Sequence, residues 1–164
     1  MHYMLENLKL KECLLMNNIK IYKMTKDDIQ DVLNLEKSHN IKILSKNLLE
    51  NEIESKNAYY IVAKVNDNIV GYAGISYVLD NADLISIVVD KDKTNMSIAT
   101  HMLNNIISFC KNNNIIEIML EVRCSNIPAQ KLYKKFGFKQ ISIRKKYYDN
   151  LEDAYIMKLN IKRA

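Results

Sequence analysis

Two repeating patterns of apolar and polar residues alternate along the chain. In some stretches apolar residues are continuous or fall at every second position, which is typical of β-strands. In others they recur every three or four positions, which is typical of amphipathic helices. The order of these stretches predicts β-α-α-β-β-β-α-β-α-β-β, an α/β fold in which a mixed β-sheet carries helices on both faces. The predicted strands cover residues 19–24, 59–65, 69–79, 83–89, 115–122, 138–148 and 153–161.

Residues with strong capping and turn preferences mark the ends of these elements. Thr25 and Ser45 are typical helix N-caps, and Asn66–Asn68 between two strand patterns predicts a hairpin turn. Pro128 stands in the first turn of a helix, where its missing N–H costs little, and Gly137 suits the left-handed residue that ends that helix. The predicted helices cover residues 26–37, 47–54, 96–111 and 127–136.

The length of the chain and the spread of its apolar positions indicate one domain. With 164 residues, 48% of them hydrophobic, the chain is large enough to bury a core without support from disulfides or metals. The alternating pattern begins near residue 16, so residues 16–164 are predicted to form the domain. Residues 1–15 read as a separable N-terminal extension, either a short added helix or the product of an upstream start codon chosen in error.

Composition and charge narrow the function classes. Residues 1–15 carry Glu6 and Glu12 without a continuous apolar stretch, so we expect no signal peptide and a cytoplasmic protein. The three cysteines form no CxxC pair and the three histidines lack ligand spacing, so we expect reduced thiols and no metal. A net charge of +5 favours anionic partners. No membrane association is expected, and the absence of interleaved basic and aromatic residues argues against direct nucleic-acid binding.

One segment identifies a family. Residues 121–138 read EVRCSNIPAQKLYKKFGF, which closely resembles the pattern of GNAT N-acetyltransferases, where a strand ending in LEVR is followed by SNxxAxxLYxxxGF. Further on, RKKYYD at 144–149 and EDAYIM at 152–157 are similar to the tail of the ribosomal-protein-alanine N-acetyltransferases, the RimI type. The resemblance covers about residues 16–160, and it implies transfer of an acetyl group from acetyl-CoA to an amine.

The resemblance implies a catalytic role for two residues. Glu121 stands near the carboxyl end of a central strand, where open sheets place their ligands, and it corresponds to the general base that accepts the ammonium proton. The alternative is a solvated carboxylate, or one paired with Arg123. Tyr133 corresponds to the general acid that protonates the departing thiolate, a role open to a phenol. Tyr133 also belongs to the apolar stripe of its helix, and the two interpretations are compatible.

The resemblance further implies a coenzyme A site. In GNAT proteins the pyrophosphate is bound by backbone N–H groups of a Q/R-x-x-G-x-G/A loop at a helix N-terminus, and the aligned residues 94–99 read TNMSIA. Thr94 replaces Gln or Arg. Ser97 replaces the first glycine. Its Cβ stands where the backbone should approach the phosphate closely and excludes φ values open to glycine, so we expect weaker coenzyme A affinity, although its hydroxyl offers a donor for a phosphate oxygen. The implied cofactor-binding residues are Ile87, Val88, Val89, Asn95, Met96, Ser97, Ile98, Ala99, Thr100 and Asn126.

Two segments are implied to form the acceptor groove. One is the loop from His39 to Ser45, which contains Ile43-Leu44-Ser45 where the RimI type usually carries Pro-Trp-Ser. This difference leaves the preferred N-terminal residue of the acceptor open. The other is the final hairpin, where Tyr147 and Tyr148 match the family and offer flat packing and hydrogen bonds to a peptide. The alternative for both tyrosines is packing within the hairpin.

Three functions are compatible with these residues. The leading hypothesis is acetylation of the N-terminal α-amine of a protein, with an alanine-initiated ribosomal protein as the first choice. The second is acetylation of a small amine, such as a polyamine or an aminoglycoside. The third is a non-catalytic acyl-CoA-binding or ribosome-associated protein, which the altered loop and the positive charge favour.

Overall fold

The computed structural model describes residues 18–39, 45–93 and 97–161. Three of the sequence predictions concern other residues. The N-terminal extension at 1–15, the loop residues 40–44 and the cofactor-loop residues 94–96 lie outside the described residues.

The described part of the chain contains seven strands and four α-helices. Each predicted element is present, with ends that shift by up to three residues. The helices are α1 (Ile29–Ser38), α2 (Lys46–Glu54), α3 (Ile98–Asn112) and α4 (Ile127–Lys135), with short 3-10 turns at Lys26–Asp28 and Lys91–Lys93. The strands are β1 (Lys20–Lys23), β2 (Ala58–Val65), β3 (Asn68–Val78), β4 (Asn81–Val89), β5 (Glu117–Arg123), β6 (Lys139–Tyr148) and β7 (Glu152–Asn160).

The strands form one mixed sheet in the order β1-β2-β3-β4-β5-β7-β6. β4 and β5 are parallel, whereas β1 with β2, β5 with β7, and β6 with β7 are antiparallel. Two parallel neighbours need a crossover connection, and α3 lies between them in the chain. The predicted mixed sheet is therefore confirmed. β5 has a strand on each side, and its alternate residues Ile118, Leu120 and Val122 are buried.

The chain divides into two compact units. The first comprises the described parts of residues 1–74 and 86–105, and the second comprises residues 75–85 together with the described part of 106–164. In the first unit, Leu49 of α2 packs with Tyr60 of β2 and Tyr72 of β3 in one apolar cluster. The Tyr72 hydroxyl donates a hydrogen bond to the buried carboxylate of Glu36 on α1. The buried polar group is thus paired, as burial requires.

Two glycines of β3 are required by close packing in the first unit. A Cβ at Gly74 would lie 2.0 Å from Cε1 of Tyr60, and a Cβ at Gly71 would lie 2.8 Å from the carbonyl oxygen of Val88. Neither distance is possible between non-bonded atoms. Glycine at these two positions is therefore what lets the Tyr60 ring and the β4 backbone approach β3.

The predicted cap of α2 is confirmed, whereas Thr25 caps a short 3-10 turn that precedes α1. Before α1, the Asp28 carboxylate accepts hydrogen bonds from the backbone N–H and the hydroxyl of Thr25, at 2.9 and 3.0 Å. The first predicted turn of this helix is 3-10 rather than α. Before α2, the Ser45 hydroxyl accepts from the Leu48 N–H at 3.3 Å, which satisfies a donor that the helix leaves without a partner.

Two predicted turns have the backbone angles that their residues suit. Asn66 and Asp67 have φ of +49° and +64°, and left-handed angles at both central residues are those of a type I′ hairpin turn. Gly137, after α4, has φ of +91°. Both turns were predicted from residue type, and both are confirmed.

Candidate active site

Glu121 lies near the carboxyl end of β5, in the second unit. Side chains alternate along a strand, so Glu121 projects from the face opposite the buried Leu120 and Val122. Its side chain is 34% exposed. The carboxylate is thus open to solvent in part while its strand is anchored by the core.

Two side chains of β6 hold the Glu121 carboxylate. Nη1 of Arg144 donates to Oε1 at 2.7 Å, and the Tyr147 hydroxyl donates to Oε2 at 3.2 Å. The guanidinium of Arg144 also lies over the Tyr147 ring, 4.9 Å from its centroid. Glu121 is therefore a paired carboxylate, and the three side chains form one closed contact group.

The pairing of Glu121 with Arg123, which the alternative interpretation named, is not the one that the structure shows. The Arg123 guanidinium bonds instead to Glu152 at 3.0 Å and to Asp149 at 3.4 Å. It also lies over the Tyr148 ring, 4.1 Å from the centroid. The turn between β6 and β7 brings the carboxylates of Asp149 and Glu152 and the ring of Tyr148 to the end of β5. The Arg123 guanidinium therefore binds these groups and not Glu121.

Glu152 also ties Ser125, two residues beyond the end of β5, to β7. Its Oε1 accepts from the Ser125 N–H at 2.9 Å and its Oε2 accepts from Arg123. Hydrogen bonds from Ser125 and then from Arg123 hold the pKa of Glu152 below its usual range, because they favour the charged carboxylate. The connection from β5 to α4 is thereby fixed by an ionised side chain.

The same connection is held from the other side by α4. The Gln130 amide donates to the carbonyls of Arg123 and Cys124 at 3.1 and 2.9 Å, and Gln130 is buried. Asn126 caps α4 by accepting from the Ala129 N–H at 3.2 Å, as predicted. Its implied contact with coenzyme A stays a prediction. These bonds fix where α4 begins relative to β5, and so where its side chains lie.

Tyr133 is buried within the second unit at 5% exposure. Its ring packs against Phe138, with the centroids 5.6 Å apart, so the predicted core position is confirmed. Burial, and then the neighbouring Tyr148, raises the pKa of the Tyr133 phenol. The hydroxyl therefore keeps its proton at neutral pH.

Tyr148 lies within electrostatic range of both candidate catalytic groups. Burial raises its pKa first, followed by the charge of Glu121 and the neighbouring Tyr147. Tyr148 in turn contributes to the raised pKa of Tyr133. The rings of Tyr147 and Tyr148 meet edge to face, 4.9 Å apart. Both tyrosines do pack in the hairpin, and Tyr147 also bonds directly to Glu121.

In the first unit, Ser97 precedes α3 with a φ of +56°. The expectation that its Cβ excludes the angles open to glycine is wrong at this φ. The serine adopts a left-handed angle, at a cost of roughly 1–2 kcal/mol. Its carbonyl oxygen accepts the first hydrogen bond of the helix, from the His101 N–H at 3.0 Å. Nδ1 of the His101 ring lies 2.9 Å from the same oxygen.

The start of α3 is suited to a phosphate group. The first N–H groups of a helix have no intrahelical acceptor and carry a partial positive charge, and here they belong to Ile98, Ala99 and Thr100. N–H groups of this kind can bind a phosphate without a cationic side chain, and the implied contact of these three residues with coenzyme A stays a prediction. The last residues of β4, Ile87–Val89, contain the buried Val88 between two partly exposed neighbours. Their pairing with pantetheine stays a prediction.

The described residues also bear on metal binding and on membrane insertion. Within 18–39, 45–93 and 97–161, no group of three or more His, Cys, Asp or Glu is placed to hold a metal ion. Over the same ranges, no helix combines the length and apolar character needed to cross a bilayer. Cys110 and Cys124 are both free thiols.

Sequence reasoning missed three side chains of this site: Arg144, Gln130 and Glu152. Arg144 stands 23 positions from its partner Glu121, a separation that no local pattern reports. Gln130 occupies a polar position within the α4 stripe, and a buried glutamine beside a strand end was the one available signal. Glu152 was visible only as part of the EDAYIM segment.

Comparison with known proteins finds one family and consistent relatives. The acetyltransferase (GNAT) family matches residues 26–138. A Bacillus subtilis (strain 168) protein, provisionally named a ribosomal protein bS18-alanine N-acetyltransferase, is 36% identical over 140 residues. The match covers 84% of this chain and 93% of the relative.

Solved structures agree with the sequence match. The crystal structure of the ribosomal-protein-S18-alanine N-acetyltransferase from Escherichia coli superimposes with a TM-score of 0.82 and 28% identity, covering 89% of this chain and 96% of that one. The paia N-acetyltransferase from Thermoplasma acidophilum, solved in complex with coenzyme A, has a TM-score of 0.74 at 20% identity, covering 87% of this chain and 98% of that one. The second likeness concerns the fold alone.

Proposed function

Because this chain belongs to the acetyltransferase (GNAT) family and is an acetyl-CoA-dependent N-acetyltransferase, we propose that it acetylates the N-terminal α-amine of a protein. The first acceptor to consider is an alanine-initiated ribosomal protein, and the reaction would take place in the cytoplasm. Glu121 is the general base and Tyr133 the general acid. The observation that carries the proposal is the Glu121 carboxylate, held by Arg144 and Tyr147 beside the paired tyrosines.

Because the α-ammonium group of the acceptor is fairly acidic, a general base of modest strength is sufficient. A protein α-amine has a pKa near 7.7–8.0, so roughly a tenth to a fifth is neutral at pH 7, whereas a lysine near 10.4 is neutral in only a few parts in ten thousand. A carboxylate that is partly exposed, such as Glu121, suffices to remove the α-ammonium proton directly or through water.

Tyr133 supplies the second proton transfer. Acetyl-CoA provides the thioester carbonyl that the neutral amine attacks, and the departing thiolate needs a proton. The phenol of Tyr133 keeps its proton because it is buried. It donates this proton to the thiolate. Glu121 takes one proton from the ammonium before attack, and the second proton, which the nitrogen loses as the thiolate departs, returns to the Tyr133 phenolate directly or through water, so protons and charges balance over the reaction.

The first turn of α3 would hold the pyrophosphate of acetyl-CoA. Its N–H groups at Ile98–Thr100 are available donors, and the left-handed Ser97 turns the chain into the helix. The serine Cβ and the altered loop support our expectation of weaker binding than in relatives with glycine.

The choice of acceptor rests on the relatives and on the tyrosine pair. Two relatives are named for acetylation of an alanine of ribosomal protein S18. The exposed Tyr147 and half-buried Tyr148 next to Glu121 suit an extended peptide, since phenols pack flat against backbone and bond to it. A small amine would make no use of this pair.

The test compares acceptors and site variants in one assay. The purified protein is given acetyl-CoA with an alanine-initiated ribosomal peptide, with the same peptide blocked at its N-terminus, or with free polyamines. We expect acetylation of the unblocked peptide alone, with Glu121→Gln and Tyr133→Phe each at least about 100-fold slower. A preference for polyamines would reject the proposed acceptor, and binding of acetyl-CoA without turnover would reject enzymatic function.

A further inference from the structure

The route by which Arg144 reaches Glu121 crosses a whole strand. On β7, Ile156 is the register partner of Glu121, and Ala154 is the register partner of Arg144. Neighbouring strands are about 4.8 Å apart, so the two backbones are separated by about 10 Å with β7 between them. The Arg144 side chain must extend over β7 to make its 2.7 Å bond. Ala154, which Arg144 faces on β7, carries only a methyl group and is fully buried, as expected of a small residue beneath such a crossing.

Arg123 and Arg144 face Ala154 from the two strands that flank β7, yet the two arginines have separate partners. Arg123 forms ion pairs with Glu152 and Asp149 and lies over the Tyr148 ring. Arg144 forms an ion pair with Glu121 and lies over the Tyr147 ring. Each cation is therefore neutralised by its own carboxylates, and Arg123 is not available to replace Arg144.

The hydrogen bonds from Arg144 and Tyr147 orient the Glu121 carboxylate and leave part of its hydrogen-bonding capacity unused. A carboxylate has about four lone-pair directions, and Arg144 and Tyr147 occupy one on each oxygen. A general base must come within about 2.6–3.2 Å of the proton it removes. A glutamate without these holders would spread over several rotamers at a partly exposed strand position.

From this geometry, and building on the proposed function, we propose that Arg144 is the positioning residue of the general base, with Tyr147 as its second holder. Arg144 fixes the rotamer of Glu121 so that the remaining lone pairs of the carboxylate face the acceptor amine. It does not contact the reacting atoms itself. Its removal therefore lowers the rate of proton removal and leaves cofactor binding intact.

The neighbouring Lys145 provides a matched control for the test. It belongs to the same strand and makes an ion pair of the same length, 2.7 Å, with Asp153. We expect Arg144→Gln to lower kcat roughly 10- to 100-fold, with an unchanged KM for acetyl-CoA, and Lys145→Gln to stay within about twofold. Arg144→Lys should recover part of the loss, since an ammonium still donates to the carboxylate. Tyr147→Phe, which keeps the ring under Arg144, should lose only a few-fold.

A double-mutant cycle separates this proposal from the proposed function. In a Glu121→Gln background, Arg144→Gln should cause no further loss, because the group it positions is gone. If Glu121→Gln keeps full activity, the proposed base is rejected. If Glu121→Gln is inactive while Arg144→Gln behaves like Lys145→Gln, the positioning role is rejected and the base remains. If the two losses multiply, Arg144 acts elsewhere and the positioning role is again rejected.

Discussion

The ring of Tyr133 packs against the ring of Phe138, with their centroids 5.6 Å apart and their planes tilted by 57°. The two residues are only five positions apart, and Gly137 with its φ of +91° makes the contact possible by reversing the chain. The Phe138 N–H then donates to the Tyr133 carbonyl at 3.0 Å. The end of α4 thus holds its own tyrosine ring in place, so that the phenol points in a direction set by packing.

Replacement of Tyr133 by Phe should separate the packing role from the chemical one. The ring contact with Phe138 is kept, so we expect the free energy of unfolding to change by less than about 1 kcal/mol. Loss of the proton donor should lower kcat about 10²- to 10³-fold. Steady-state kinetics and urea unfolding measure both quantities, with Tyr22→Phe on an exposed residue as the control. An unchanged kcat would exclude the general-acid role.

Replacement of Ser97 by Gly should improve both stability and cofactor affinity. The left-handed φ of +56° costs serine roughly 1–2 kcal/mol, while glycine loses about 0.5–1 kcal/mol through backbone entropy. We expect a net gain of up to about 1.5 kcal/mol in the free energy of unfolding and a several-fold lower Kd for acetyl-CoA by calorimetry.

The control for this replacement is Asn114→Gly, at a φ of +59° in the segment between α3 and β5. It should stabilise the protein slightly without altering affinity. If Ser97→Gly instead weakens binding, and Ser97→Ala does the same, then the serine hydroxyl donates to the cofactor and the expectation of a steric penalty is incorrect.

Two glycine replacements should differ in cost because their physical causes differ. At Gly74 the new Cβ would overlap the Tyr60 ring at 2.0 Å, whereas at Gly137 its nearest neighbour is the Leu159 Cδ1 at 3.5 Å. We expect Gly74→Ala to cost at least about 3 kcal/mol and Gly137→Ala about 1–2 kcal/mol, from backbone angle alone. Urea unfolding of both variants measures the two losses in the free energy of unfolding. A milder effect at Gly74 would contradict the packing seen around Tyr60.

Alkaline pH should destabilise the protein through its buried tyrosines. Burial is the largest cause of the raised pKa values of Tyr60, Tyr72 and Tyr133, whereas tyrosine in the unfolded chain ionises near pH 10. Because the folded pKa is higher, the stability contribution is fully present below about pH 10. It is lost as the pH rises further and the unfolded state gives up protons first.

The size of the alkaline effect can be measured by comparing variants. Each of the three tyrosines should contribute up to about 1.4 kcal/mol per pH unit above pH 10. Urea unfolding between about pH 9 and about pH 11.5 should therefore give a shallower slope for Tyr133→Phe than for the unmodified protein. The exposed Tyr22→Phe should leave the slope as it is. Equal slopes for both variants would mean that Tyr133 ionises as readily in the folded protein as in the unfolded one.

Local features of the fold were predictable because their causes act over a few residues. Ser45 caps α2 through a bond to the residue three positions later, and Asn66 with Asp67 forms a turn by the angles these residue types tolerate. The less accurate predictions concern element ends, such as the 3-10 turn before α1. There the exact boundary depends on tertiary contacts, including the ion pair of Asp28 with Lys64 at 2.8 Å.

By itself the sequence determined the order of strands and helices and the GNAT resemblance, since periodicity, caps and the segment from Glu121 to Phe138 are properties of neighbouring residues. Only the tertiary structure decided which arginine holds Glu121. Arg123 is two positions away and is the partner that the alternative interpretation of the sequence names, whereas Arg144 is brought there by the pairing of β5 with β7 and of β7 with β6. A side chain binds what the sheet register places within its reach, and that register depends on contacts between residues far apart in the chain.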